Sequence, residues 1–290
     1  MKGLKGENNF MNDVIEKIGN SLIQHGKHNQ RIYLMHYDVV DQDKIFIRFD
    51  ELIKAHNYTK IFVKIPQYSE SIFIDNGFTT EASIPNFFEC NKCLFMGKFL
   101  SKKRSVLNGN KNSLIKAVLL LASKKKSIKN CLVNLPEKYK FKILSERHAD
   151  QLSRLYKFVF KSYPFPIFDK KYLLKTMQKN VVYFGFFRDK KLVAASSSEV
   201  DLASNSVEMT DFATHPDFRG ENLSFFLLER MEKRMKKENI KTSYTIARSL
   251  SYGMNITFNK SSYRFAGTLV NNTNIAGKIE SMNVWYKSLV

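Results

Sequence analysis

Apolar and polar positions divide the chain into two stretches of unequal completeness. From residue 140 onward the pattern is long and mixed. "KFKIL" reads as a short strand, and residues 149–160 place Leu152, Leu155, Tyr156 and Val159 at helical spacing. "SYPFPIFD" breaks the chain with two prolines before a helix over 170–179. "VVYFGFFRDKKLVAASSSEV" predicts two apolar strands about an Asp189-Lys190 turn, and "SVEMTDFAT" a third. "LSFFLLERMEKRMKKE" is an amphipathic helix, "TSYTIA" a strand and "SYGMNITFNKS" a helix. Two closing strands, "YRFAGTLV" and "SMNVWYK", flank a polar loop, "NNTNIAGKIE". The order is strand, two helices, three strands, helix, strand, helix, two strands, which predicts an α/β mixed sheet.

The earlier part of the chain echoes the end of this series. "DELIKAHNYTKIFVKIPQYSESIFIDNGF" runs helix, strand, helix, glycine turn, and matches "LERMEKRMKKENIKTSYTIARSLSYGMNITFNKSSY" in kind and order. Two strands follow each, ending in "FMGKFL" and "VWYKSL". This predicts an internal repeat. A basic segment over about 101–136, with a helix at Ser113 to Lys124, connects the two. The expected domains are therefore 1–136, a partial copy plus linker, and 137–290, the complete unit.

Composition narrows the picture in three ways. With 290 residues, 43% of them hydrophobic, the chain can bury a real core. Its longest apolar run, "LIKAVLLLA", is interrupted by Lys116, and the N-terminus lacks a signal-peptide core, so a cytoplasmic protein without membrane contact is expected. The three cysteines include one CxxC, Cys90 and Cys93, with no second ligand pair; no metal is expected, and Asn91-Lys92 reads as a tight turn. The 47 basic against 27 acidic residues give +20, a field that draws polyanions. The lysines are scattered, however, so no nucleic-acid partner is expected.

The stretch with chemistry in it is "THPDFRGENLS". A strand ends at Thr214, turns through His215-Pro216-Asp217-Phe218 and enters a helix near Leu223. Free backbone amides at a helix N-terminus bind anions. Arg219 adds a charged donor, Gly220 admits a phosphate to the backbone, Asn222 tolerates a left-handed conformation and Ser224 is small. A generic strand-to-helix turn would share these features in isolation.

"ATHPDFRGENLSFFLL", in this order of elements, resembles the pyrophosphate loop of the GNAT superfamily of N-acetyltransferases, with Asn222 and Ser224 as departures at two small positions. The resemblance covers about 140–290 and implies the GNAT fold there, with a partial, degenerate GNAT-like copy before it. It implies acetyl-CoA as donor, with its pyrophosphate on Arg219, Gly220, Glu221, Asn222, Leu223 and Ser224, and its pantetheine arm along Phe212, Ala213 and Thr214. "VEMTDFATHPDFRG", "SYTIARSLSYGMNITF" and "GTLVNNTNIAGKIESMNVWYK" resemble more narrowly the β-lysine N-acetyltransferases, which form Nε-acetyl-β-lysine, a compatible solute. Residue patterns alone reach only an acetyltransferase of a small amine or protein lysine, and a basic acyl-CoA-sensing or RNA-binding module is the non-enzyme alternative.

An alkyl ammonium of pKa about 10.4 is neutral in only about one molecule in 2,500 at pH 7, so such an enzyme must accept a proton. Glu208 stands where some members of the superfamily carry a general base, and would need burial or a water relay to serve. Strand alternation puts Asp211 on the opposite face unless a bulge intervenes, as the resemblance implies. Asp211 would then hold an ammonium of a diamino acid substrate, or tie down a neighbouring loop. Phe258 falls where relatives place a proton-donating tyrosine, which leaves Tyr252, Tyr263 or no protein acid. Tyr252 and Asn255, one helical turn apart, are also candidates for cofactor contact. Asn271, Asn272 and Glu280, in the polar loop, are candidates for substrate contact, or turn-formers. Oligomeric state is left open, a homodimer included.

Overall fold

The computed structural model describes residues 13–88, 91–107, 109–125 and 135–290. The N-terminal half runs β1 (Val14–Ile18), β2 (Ser21–Gly26), β3 (Arg31–His36), α1 (Gln42–His56), β4 (Lys60–Pro66), α2 (Glu70–Asp75), β5 (Thr79–Phe88) and β6 (Asn91–Phe99). Helices α3 (Lys102–Ser105) and α4 (Gly109–Ser123) connect it to β7 (Lys140–Ile143), α5 (Ala149–Val159), α6 (Lys170–Met177), β8 (Val181–Arg188), β9 (Lys191–Asp201) and β10 (Ser206–Thr214). The chain ends with α7 (Leu223–Lys237), β11 (Thr242–Arg248), α8 (Tyr252–Lys260), β12 (Arg264–Ile275) and β13 (Lys278–Ser288). No helix among the described residues is long and apolar enough to cross a membrane.

One thirteen-stranded sheet runs through both halves, in the order β1-β2-β3-β4-β6-β5-β12-β13-β11-β10-β9-β8-β7. The six N-terminal strands repeat the arrangement of β8 to β13. In each half two antiparallel pairs lead to a parallel pair across a helix, β3 with β4 and β10 with β11. A further helix then precedes an antiparallel hairpin, β5-β6 or β12-β13. The repeat thus includes β1 to β3, which the apolar pattern did not single out. Among the described residues, its C-terminal counterpart alone carries β7, α5 and α6.

The halves meet at β5 and β12 through one bridge, Gly267 opposite Ala82. A Cβ on Gly267, at φ +149°, would lie 2.2 Å from the Glu81 carbonyl oxygen, so only glycine fits this seam. Beside it, buried Lys60 donates to Glu81 Oε2 at 2.6 Å and to the Val270 carbonyl at 2.8 Å, while Glu81 Oε1 accepts from the Val270 amide. Burial still pulls the Lys60 ammonium down to about 8, with Glu81 opposing the shift.

Three apolar clusters follow from this layout. One lies under α1 and α2, and includes Ile45, Phe49 and Phe73. A second lies under α7 and α8, where the i, i+3, i+4 spacing of Leu223, Phe226, Leu227 and Met231 turns one face of α7 onto the sheet. The third joins the halves: Tyr33, Phe62 and Phe87 pack with Tyr156, Tyr244 and Met282. The inner faces of the two half-sheets therefore look at each other.

The strands and helices of the C-terminal half follow the apolar pattern closely, down to the Asp189-Lys190 turn, where both residues have positive φ. Two local expectations need correction. Asn91 and Lys92 already belong to β6, Asn91 pairing with Phe88, so they are not the turn; Cys90 and Cys131 lie outside the described residues, and Cys93 is a buried free thiol. The polar "loop" 271–280 is mostly strand, with only Ala276-Gly277 between β12 and β13. Several of its polar groups meet partners far along the chain: Thr273 and Asn274 meet Arg31, His28 and Asn29 of the N-terminal half, and Asn271 meets the connecting segment. Asn271 Nδ2 donates to the carbonyls of Arg104 and Val106 at 2.9 and 3.0 Å.

Candidate active site

Strands β10 and β11 pair over only three positions, Ser206 to Glu208, and then separate. A cavity of about 710 Å³ opens at this splay. One end is walled by the turn into α7, the other by β3 and β4 of the N-terminal half through Arg31, Tyr33, Met35 and Phe62. The N-terminal half thus forms one side of the site.

A bulge in β10 sets the acids. Thr210 pairs with Ser197 but Ala213 with Ala195, so β10 carries one extra residue, and Asp211 takes φ +55°. Before the bulge Val207 and Met209 face the α7 cluster; after it Ala213 faces the opposite one. Glu208, Thr210 and Asp211 therefore all line the cavity. Glu199, directly across from Glu208 on β9, lines it too. It was missed in the sequence, although counting outward from the short connection between "SSSEVD" and "SVEM" brings 199 opposite 208.

Three carboxyl groups in one cavity cannot all ionise easily. Burial and the charges of Glu208 and Asp211 push Glu199 well up. Burial raises Glu208 from 4.5 to about 7; Lys64, the Tyr244 hydroxyl and the Ile246 amide pull it down, and Asp211 pushes it up. Asp211 is also raised by burial, against hydrogen bonds from Ser197, Tyr163 and Thr210. The Ser197 bond is 2.6 Å to Asp211 Oδ2, so Asp211 is anchored while facing the cavity. Glu208, raised to about 7, can change protonation near neutrality.

At the other end, Gly220 has φ +85° and open space where a Cβ would stand. Asn222 adopts the left-handed φ +57° and ψ 22° that its position requires. Among the described residues, no acceptor meets the backbone amides of Gly220 to Ser224. Arg219 is exposed, its Nε only 3.4 Å from the Thr214 carbonyl oxygen. Glu221 turns away to pair with Lys138 at 2.6 Å, which ties the loop down. These are the features a phosphate-binding turn needs, so the residues fit a pyrophosphate. Phe212, Thr214, Leu223 and Ser224 line the cavity, whereas the Ala213 side chain is in the core.

Other candidates are placed elsewhere. Asn255 is fully buried and spent: Nδ2 donates to the Arg248 and Ser251 carbonyls, and Oδ1 accepts from Asn283 Nδ2 and Trp285 Nε1 at 2.8 and 2.9 Å. It anchors α8 and does not touch the cavity. Tyr252 points to solvent, while its neighbours Ser251 and Gly253 form the wall. Tyr263 is bonded to Ser243 Oγ at 2.6 Å inside the α7 cluster. Neither tyrosine reaches the cavity that Phe258 lines, so the acid role expected for Tyr252 has no geometric support. Glu280 lies buried by Lys278 and Arg248 at 3.3 and 3.6 Å and does not line the cavity; nor does Asn271. Asn272 does line it, with its Oδ1 buried and unpartnered among the described residues.

The Acetyltransferase (GNAT) family matches residues 149–250. The chain is 42% identical to a β-lysine N(6)-acetyltransferase of Methanococcus maripaludis over 277 residues, 96% of this chain and 99% of the relative. It is 31% identical to the N-acetyltransferase YodP of Bacillus subtilis over 93% of this chain and 96% of the relative. A β-lysine N(6)-acetyltransferase of Methanosarcina mazei is 35% identical over 53% of this chain and 57% of its own length.

Proposed function

The chain belongs to the GNAT acetyltransferase family, and from that premise we propose that it transfers the acetyl group of acetyl-CoA to the N6 amine of β-lysine. The observation that carries this reading is Glu208, a carboxyl group raised to about 7, facing the same cavity as the phosphate-binding turn before α7. Acetyl-CoA, when bound, supplies an activated thioester carbonyl. Residues 219–224 hold its pyrophosphate by backbone amides, assisted by the Arg219 guanidinium.

Glu208 takes the proton that the substrate ammonium must lose. A base near 7 in place of 4.5 narrows the mismatch with an amine of about 10.4 by about 3 kcal/mol, at about 1.4 kcal/mol per pKa unit. Asp211, fixed by Ser197, offers a second negative charge for an ammonium group. No tyrosine is needed for the leaving thiolate, whose pKa near 8.5 lets it depart into water. Acetylation removes one positive charge from a diamino acid and leaves a net-neutral zwitterion, the charge state expected of an accumulated compatible solute.

The test is CoA release from acetyl-CoA with β-lysine, α-lysine and polyamines side by side, with the acetylated position read by mass spectrometry. Preferred turnover of β-lysine at N6 is expected. Equal or better turnover of the other amines overturns the assignment.

A further inference from the structure

The cavity has acids on its β9 and β10 wall, and the N-terminal half opposite contributes one cation, Arg31; Arg219, Arg248 and Lys260 line it from the C-terminal half, Arg248 beside Glu280. Arg31 belongs to β3, in the half without the phosphate-binding turn. Its Nη1 donates to the Asn272 carbonyl at 2.6 Å and to Thr273 Oγ1 at 3.0 Å. The remaining edge of the guanidinium, Nε and Nη2, meets no acceptor among the described residues, and Nε is shut off from solvent. The group is 4% exposed and covered by the Tyr33 and Phe62 rings at 5.2 and 5.6 Å. A buried arginine with unused donors is costly unless an anion completes it. The charges nearest it do not: Arg104 is a second buried cation, Asp13 is engaged by the His28 and Asn29 amides and by Asn29 Nδ2, and Glu81 is engaged by Lys60 and the Val270 amide.

Resting on the acetyl-transfer reading above, we propose that Arg31 takes the carboxylate of the amino-acid substrate. The N-terminal half then reads the end of the substrate remote from the reacting amine. A planar guanidinium suits a carboxylate better than an ammonium would. With Arg31 on one wall and Glu199, Glu208 and Asp211 on the other, a diamino monocarboxylate enters in one orientation. A polyamine has no group for Arg31 and leaves its donors unmet. Arg31 is a specificity residue in this scheme and touches no reacting atom.

The experiment compares β-lysine with β-lysine amide, which is neutral at the carboxyl end, as acceptors for wild type, R31Q and R31K. For wild type, kcat/KM for the acid should exceed that for the amide by on the order of 10²-fold. In R31Q this preference should collapse to within about threefold, mainly through KM, and R31K should restore part of it. CoA binding followed by thermal shift checks that the variants fold. Equal loss on both acceptors, or a wild type indifferent to the amide, overturns the assignment. A wild type that prefers α-lysine yet keeps the acid-over-amide preference breaks the β-lysine reading and leaves Arg31 standing. Polyamines turned over as well as β-lysine overturn both, while acetyl transfer itself survives.

Discussion

The two halves share a strand order but differ where a strand meets its helix. In the C-terminal half β10 leads into α7 through Arg219, Gly220 and left-handed Asn222, and leaves a row of amides without acceptors among the described residues. In the N-terminal half β3 leads into α1 through a shorter turn containing Asp38 and Asp41. Asp41 accepts from the Asn20 and Ser21 amides at 2.7 and 3.0 Å and from Ser21 Oγ at 3.1 Å. Asp38 accepts from the Val40 amide. One helix start is open and cationic; the turn before the other carries two carboxylates, which bond the β1–β2 turn and Val40 rather than the helix amides. The parallel pairs differ in the same way. Glu208 sits opposite Tyr244, whereas the corresponding pair is Tyr33 opposite Phe62. The shared topology supplies the strand framework, and a few side chains decide which half carries open amides at a helix start and a raised carboxyl group.

The sharpest way to break this comparison is to remove the acid that only one half possesses. E208Q should lower kcat by on the order of 10² to 10³ at neutral pH. Wild-type kcat/KM should rise with pH through about 7, as Glu208 ionises, and that limb should vanish in the variant. Near-normal turnover by E208Q would move the base elsewhere.

The turn before α7 comes next. N222V places a β-branched residue at φ +57°, which costs about 1–2 kcal/mol, so KM for acetyl-CoA should rise by on the order of tenfold. N222G should remain within about threefold of wild type. Equal behaviour of the two variants would show that the left-handed turn does not matter to the cofactor.

Asp41 tests the other half. D41A strips the partner from two amides and a hydroxyl, so Tm should fall by several degrees while KM for acetyl-CoA stays unchanged. A changed KM would show that the N-terminal turn reaches the cofactor site.

The smallest effect is on stability. Because burial raises Glu208 from 4.5 to about 7, the unfolded chain gives up this proton first as pH rises. Its contribution to stability is complete below about pH 4.5 and lost as pH rises through about 7. The Tm of E208Q relative to wild type should therefore improve between about pH 5 and about pH 8, measured without ligand.

Much of this was legible in the residue pattern. Apolar periodicity located the helices and strands of the C-terminal half apart from the inner ends of β12 and β13, which read as a polar loop, and the resemblance carried by "DFRGENLS" and "VEMTDFAT" brought Glu208, Asp211 and the bulge into view. The sequence could not show where polar side chains point when their partners lie far along the chain. Asn271 binds backbone more than 160 positions earlier, and Asn255 is satisfied by Asn283 and Trp285, so both read as free amides until the sheet assembles. Arg31 was invisible for the same reason. "RIYLMH" was not singled out by the apolar pattern, and only the meeting of the half-sheets turns its first residue toward the acids.

The seam at Gly267 has a consequence for how such a protein diversifies. One backbone bridge and the bonds of buried Lys60 and Glu81 to Val270 join the two half-sheets, so under the proposal above the surface that reads the carboxylate and the surface that carries the acids are separately encoded. Substitutions on β3 and β4 can retune which amine enters without touching the donor machinery on β10 and α7. The fold works as a tool holder with an interchangeable gauge.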